Sequence, residues 1–337
     1  MKNRSLHGLT VLCLVLMAAI AAFFMPAACS VAASAADADA EAQAFGETVS
    51  GAISAAGEAD SYTIVANAGD AVLIRVSKDG GDLWPRLRLY APGGALLQEQ
   101  YGSTSAEVVQ RVPESGSYNL MVSDGYDGTF TGSYKLYVQR LNQPGNALAL
   151  TFGQTVTGAI PQAAEMDTFT FQAEAGDVVL VGMSRTSGSL WPEIRVYNAS
   201  GNALGAASGS VHAELIVTVF QAWRVYLPVV VSEHTGGEAT ARWPEPVRRL
   251  EVTAPGTYAI LVGDGYNGTY TGSYNVHLQR LNNPGNATAL SFGQTLAGSI
   301  GMAGEMDAYT FAGEVGDVVL AGMSKTSGDL WPQVRVY

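Results

Sequence analysis

A block of 46 residues is written three times in this chain, and every fold reading has to apply to each copy. Residues 45–90, 152–197 and 292–337 align without gaps, and a second block, residues 116–150, returns at 256–290. Repeats of this size mark duplicated domains. The first offset is 107 residues and the second 140, so the middle copy carries 33 extra residues. The resulting division is a leader at 1–35, a first copy at 45–142, a linker at 143–151, a second copy at 152–282 with an insertion at about 212–247, a linker at 283–291, and a third copy cut short at 292–337. The linker peptides NQPGNA and NNPGNA are built of turn formers. The apolar part of the insertion, residues 215–231, is interrupted by Gln221, Arg224 and Pro228 and is too short and polar for a membrane span. A β-hairpin followed by a loop is expected there.

Within a copy the apolar period is two. DAVLIRV, SYNLMV and SYKLYV alternate or run apolar between Gly, Asp and Pro, and no segment sustains a period of 3.6. About eight short strands fit into one copy, which points to a sandwich or jelly roll. The expected fold class is all-β: tandem jelly-roll-like β-sandwich domains after an N-terminal signal peptide. The third copy holds the sequence of only the first four strands, so an uncovered apolar face and an unpaired edge are expected, with another chain or a longer array to cover them.

The order of motifs carries a family resemblance. DSYTI, DTFTF or DAYTF is followed by (A/V)GD-x-V-L, by WP-x-(L/I/V)-R-(L/V)-Y, by GSY or GTY and by TGSY-x-(L/V). This order resembles the bacterial pre-peptidase C-terminal domain, a β-sandwich appended to secreted peptidases and other exported proteins. The likeness spans residues 45–337, although the insertion, the shortened third copy and the lack of a peptidase domain depart from it. It implies a secreted, non-catalytic module, with calcium as an ion that some relatives carry.

The N-terminus supports export. Lys2, Arg4 and His7 precede an apolar run to Phe24, Pro26 and a small-residue stretch, the pattern of a secretory signal peptide with cleavage after Ala35. Lipid attachment at Cys29 is the alternative, with Pro26 where a lipobox has Leu. Cleavage removes two basic residues and no acid, taking the formal charge from −12 to −14, and removes both cysteines. The exported chain then has no disulfide and no thiolate nucleophile. Its acidity excludes a nucleic-acid binder, which needs a basic footprint. The mature chain holds three histidines, none recurring in every copy, and no nucleophile elbow, zinc helix or phosphate loop. No enzyme activity and no cofactor other than calcium are expected.

Two sets of residues could form sites. On the WP strand Trp84, Arg88 and Tyr90 share a face, as do Trp191, Arg195 and Tyr197 and, in the third copy, Trp331, Arg335 and Tyr337. An aromatic platform beside an arginine could stack on a sugar ring or grip a peptide; the simpler reading is that the arginine packs on the aromatics and the tryptophan closes the sandwich. The second set is acidic. Asp60 and Asp167 open a strand on its core-facing side and must be hydrogen-bonded, paired or metal-bound; bonding to backbone N–H groups of a neighbouring turn is the simplest solution. Asp124 and Asp127, with Asp264 and Asn267, sit in glycine-rich loops and could give oxygens to calcium, or simply turn a hairpin. The partners expected are an extracellular protein or polysaccharide, held weakly and repeatedly by an adhesive or scaffolding chain. The alternative is an accessory region of a secreted hydrolase.

Overall fold

In the computed structural model the described residues are 40–219 and 255–337, with the backbone of 251–252. The expected signal peptide and most of the insertion lie outside them. The described residues contain strands and turns and no helix.

The first copy, module 1, comprises β1 (Glu41–Ala42), β2 (Thr48–Ile53), β3 (Ala59–Ala66), β4 (Ala71–Lys78), β5 (Pro85–Tyr90), β6 (Leu96–Tyr101), β7 (Ser105–Arg111), β8 (Gly116–Asp124) and β9 (Gly132–Arg140). They form two sheets, ordered β1-β3-β8-β5-β6 and β2-β9-β4-β7. The antiparallel pairs are nested: β2 with β9, β3 with β8, β4 with β7, β5 with β6. A long hairpin rolled into two layers gives this nesting, which is a jelly roll. Alternate residues such as Ile64, Leu87, Leu89, Leu120 and Val138 meet between the sheets.

The second copy, module 2, repeats the plan with β10 (Leu148–Ala149), β11 (Gln154–Ile160), β12 (Met166–Ala173), β13 (Val178–Arg185), β14 (Pro192–Tyr197), β15 (Ala203–Ser208), β16 (His212–Val219), β17 (Glu251–Val252), β18 (Gly256–Asp264) and β19 (Gly272–Arg280). Its sheets are β10-β12-β18-β14-β15 and β11-β19-β13-β16-β17. β16 pairs with β13 as β7 pairs with β4. The strand at the start of the expected insertion is therefore the module's own, and the extra residues follow Val219. The linker is also part of a sheet, since β10 lies parallel beside β12.

Residues 292–337 do not form the expected four strands, while their apolar side chains, Val315, Val318 and Leu320 among them, are almost fully exposed. They contribute one two-residue strand, β21 (Tyr309–Thr310), parallel to β20 (Thr288–Ala289) in the linker. The reason is the nesting. Each sheet of a module interleaves strands from the first and second halves, so β11, β12, β13 and β14 have no partner among themselves. A first half alone contains no adjacent pair to hydrogen-bond, and Trp331 is 92% exposed.

The two complete modules are stacked sheet on sheet. Ala71, Leu73, Tyr137 and Leu141 of module 1 pack against Met166, Tyr197, Ala259 and Leu261 of module 2. Because both faces of β4 are covered, its burial is continuous, whereas β5 alternates buried and half-buried. Module 1 has Asn119 where module 2 has Ala259, and the free β8 alternates while the docked β18 is buried throughout its centre. Placing an amide in this seam strands it without a partner. Ala259→Asn is accordingly expected to destabilise the stacked pair by about 2 kcal/mol in chemical denaturation.

A ring of four charges closes the seam. Glu107 accepts from Arg75 Nε at 2.7 Å and Arg195 Nη1 at 2.5 Å; Glu193 accepts from Arg195 Nε at 3.0 Å and Arg75 Nη2 at 3.3 Å. Gln139 Nε2 donates across the junction to Thr168 Oγ1 at 2.9 Å, and Arg111 reaches the Ser200 carbonyl and Asn202 Oδ1.

Candidate functional site

The structure separates the residues that the WP strand placed on one face. Trp84 and Tyr90 are six residues apart on an extended chain, about 20 Å, and each has its own surroundings. Arg88 Nε lies 3.5 Å from Glu99 Oε1, and Tyr90 is half-buried. In module 2 Arg195 is in the charge ring and Tyr197 is buried in the seam. Arginine and tyrosine there serve the joint.

The tryptophans belong to a different group, one that sequence spacing missed. Tyr126 stacks on Phe130 at 5.0 Å with planes 6° apart, and Trp84 tilts onto Tyr126 at 5.1 Å. Module 2 repeats this with Tyr266 on Tyr270 at 5.0 Å and 4°, and Trp191 at 5.9 Å. Each ladder joins the start of the WP strand to the loop after β8 or β18. The middle tyrosines are 61% and 48% exposed, so an aromatic ladder faces solvent in both modules. The signal available in the sequence was the aromatic recurring at two loop positions, in DGYDGTF and DGYNGTY.

A buried aspartate holds each ladder. Asp124 accepts from the backbone N–H of Trp84 on one oxygen, at 3.2 Å, and from those of Gly128 and Phe130 on the other, at 2.8 and 3.3 Å. Asp264 does the same for Trp191, Thr269 and Tyr270 at 2.9–3.0 Å. Asp127 binds the N–H and hydroxyl of Thr129. Asn267 has a positive φ of 64°, and its carbonyl accepts from Ser77 of module 1. The second loop is thus seated on the neighbouring module, and the first, among the described residues, is not.

Asp60 and Asp167 are bonded otherwise than expected. The Tyr134 hydroxyl donates to Asp60 Oδ2 at 2.5 Å and lies 2.7 Å from the Tyr62 hydroxyl; Tyr274 donates to Asp167 Oδ2 at 2.6 Å. Side-chain phenols inside the sandwich, rather than turn N–H groups, satisfy these carboxylates. A Cβ at Gly51 or Gly158 would overlap the ring of Tyr134 or Tyr274, which accounts for glycine at both sites. Backbone N–H groups of a turn are instead capped by Glu58, on Ser54 and Ala55. Among the described residues no three acidic, histidine or cysteine side chains converge on one point. A calcium ion at either glycine-rich loop would have to displace N–H donors from Asp124 or Asp264.

The carboxyls titrate in opposite directions. Burial pushes Asp124 up, but the hydrogen bonds from backbone N–H groups outweigh it and leave the carboxyl below its ordinary value. At Glu107 burial also raises, and Arg75 with Arg195 outweighs it. Asp167 and Asp264 are raised, chiefly by burial, with their hydrogen bonds only partly offsetting it. A depressed carboxyl stabilises the fold above its unfolded pKa of about 4 and loses that as pH falls through the folded value. A raised one stabilises fully below the unfolded value and loses that as pH rises through the folded one. Between about pH 7 and pH 3, hydrogen-exchange protection of β18 is therefore expected to gain on that of β8.

No protein-family model and no curated protein matches the chain. Solved structures are similar at low values. The pre-peptidase C-terminal domain of a collagenase from Bacillus anthracis is 15% identical with a TM-score of 0.27, over 41% of this chain and 99% of that one. A Eubacterium rectale protein assigned as secreted is 11% identical with a TM-score of 0.22, over 69% and 74%. The extracellular region of zebrafish Gpr126/Adgrg6 is 9% identical with a TM-score of 0.20, over 71% and 36%. Likenesses of this size assign no ligand or activity to the chain.

Proposed function

We propose that this chain is a secreted, non-catalytic β-sandwich repeat protein that holds extracellular polysaccharide weakly through its two aromatic ladders. The observation that carries the reading is the recurrence of Trp84–Tyr126–Phe130 as Trp191–Tyr266–Tyr270, each with an exposed tyrosine on a loop fixed by a buried carboxylate. Aromatic rings offer sugar rings a flat apolar contact, and a rigid loop loses little entropy on binding. The stacked modules present two such ladders on one body, so weak contacts add by effective concentration. Export rests on the basic, apolar and small-residue succession of residues 2–36. The test is retention of the protein on gels cast with a panel of acidic and neutral polysaccharides. Tyr126→Ala and Tyr266→Ala are each expected to weaken retention about tenfold or more, and the double variant to abolish it. Equal retention of all variants would sink the reading.

A further inference from the structure

The joint between modules follows a pattern that recurs within the chain. Arg335 of the third copy pairs with Glu214 of β16, the positions equivalent to Arg195 and Glu107 at the first joint. Where module 1 offers Arg75 and module 2 answers with Glu193, module 2 has Gly182 and the third copy has Gln333. Charges are matched pairwise at both joints. Each joint thus has an acceptor face bearing a glutamate and a donor face bearing an arginine two residues before a tyrosine.

Module 1 carries a donor face of its own, on β3, β8 and β5; it keeps Arg88 and Tyr90 at the positions of Arg195 and Tyr197 and differs around them. Arg88 is paired in its own module with Glu99, opposite it on β6, where module 2 has Ala206 opposite Arg195. Glu99 also pairs with Arg86, at the position of Glu193. Asn119 replaces Ala259, with its Oδ1 3.3 Å from the Ser61 hydroxyl, and exposed Ala59 replaces buried Met166. We infer that this face is a built-in end cap: a docking surface closed by Glu99 and made polar, so that a second copy of this chain does not dock on it. Terminal units of stacked arrays need such a polar outer face, and an open donor face would join chains head to tail without closing.

The experiment converts the face to a donor in the full chain, with Ala59→Met, Arg86→Gln, Glu99→Ala and Asn119→Ala, and unpairs Glu214 on the acceptor face with Arg335→Ala. Analytical ultracentrifugation is expected to show the unaltered chain at monomer mass and the converted chain at a mass that at least doubles with concentration. Adding Glu214→Arg should return it to monomer. A folded converted chain that stays monomeric, or an unaltered chain whose self-association Glu214→Arg removes, would overturn the cap. If the fivefold variant fails to fold, Glu99→Ala with Arg335→Ala is expected to show the same association at higher concentration, and its absence there has the same meaning.

Discussion

Glu107→Ala is expected to cost about 3 kcal/mol and to split one unfolding transition of the stacked modules into two. Glu107 holds both sides of the seam. Its carboxylate accepts from Arg75 and Arg195 across the seam, and Arg75 is almost fully buried. Removing Glu107 leaves two arginines sharing one carboxylate, Glu193, and breaking a buried ion pair costs about 3–5 kcal/mol; the lower end applies because both arginines keep Glu193 and Glu107 keeps some exposure. Glu107→Gln keeps one acceptor oxygen and is expected to fall between the two. Differential scanning calorimetry checks both. A single transition moved by less than about 1 kcal/mol would mean the ring is screened as surface pairs are.

Asp124→Ala is expected to be as damaging, about 3 kcal/mol, but within module 1. Three backbone N–H groups donate to this carboxylate from the WP strand and the following loop. Hydrogen bonds to a charged acceptor are worth about 1.5–3 kcal/mol, and buried donors left without a partner add to the loss. Asp124→Asn retains one acceptor and should cost about half. The same change is expected to abolish the near-ultraviolet circular dichroism of the Trp84–Tyr126–Phe130 ladder, because the loop presenting Tyr126 loses its anchor. Retained stability with a chelator-sensitive melting temperature in the parent would instead assign these oxygens to an ion.

Much of the architecture could be read from the sequence because strand parity is a local property. The alternation in PRLRLY sets Leu87 and Leu89 on the face opposite Arg88 and Tyr90, and both are fully buried. What could not be read was which outer faces meet each other. The decisive difference, Asn119 against Ala259, is a single position between two copies. The arginine and tyrosine shared by all copies read either as a surface platform or as packing, because a docking face and a binding face use the same residue types. The ladders escaped notice because tryptophan and tyrosine lie 42 residues apart in one copy and 75 in the other, and meet only when β5 pairs with β8 and β14 with β18. The third copy was misread as four strands because nesting is a property of the whole module, invisible in half of it.

Arg195 of the WP strand joins the two modules, whereas under the proposed function the ladder tyrosines meet the polysaccharide. Retention on a polysaccharide-loaded gel, compared for Arg195→Ala and Tyr126→Ala at matched folded fraction, tests this division directly. Arg195→Ala is predicted to keep the parent's retention while lowering stability, and Tyr126→Ala to lose retention while melting as the parent does. Loss of retention in Arg195→Ala with Tyr126→Ala unaffected would contradict it.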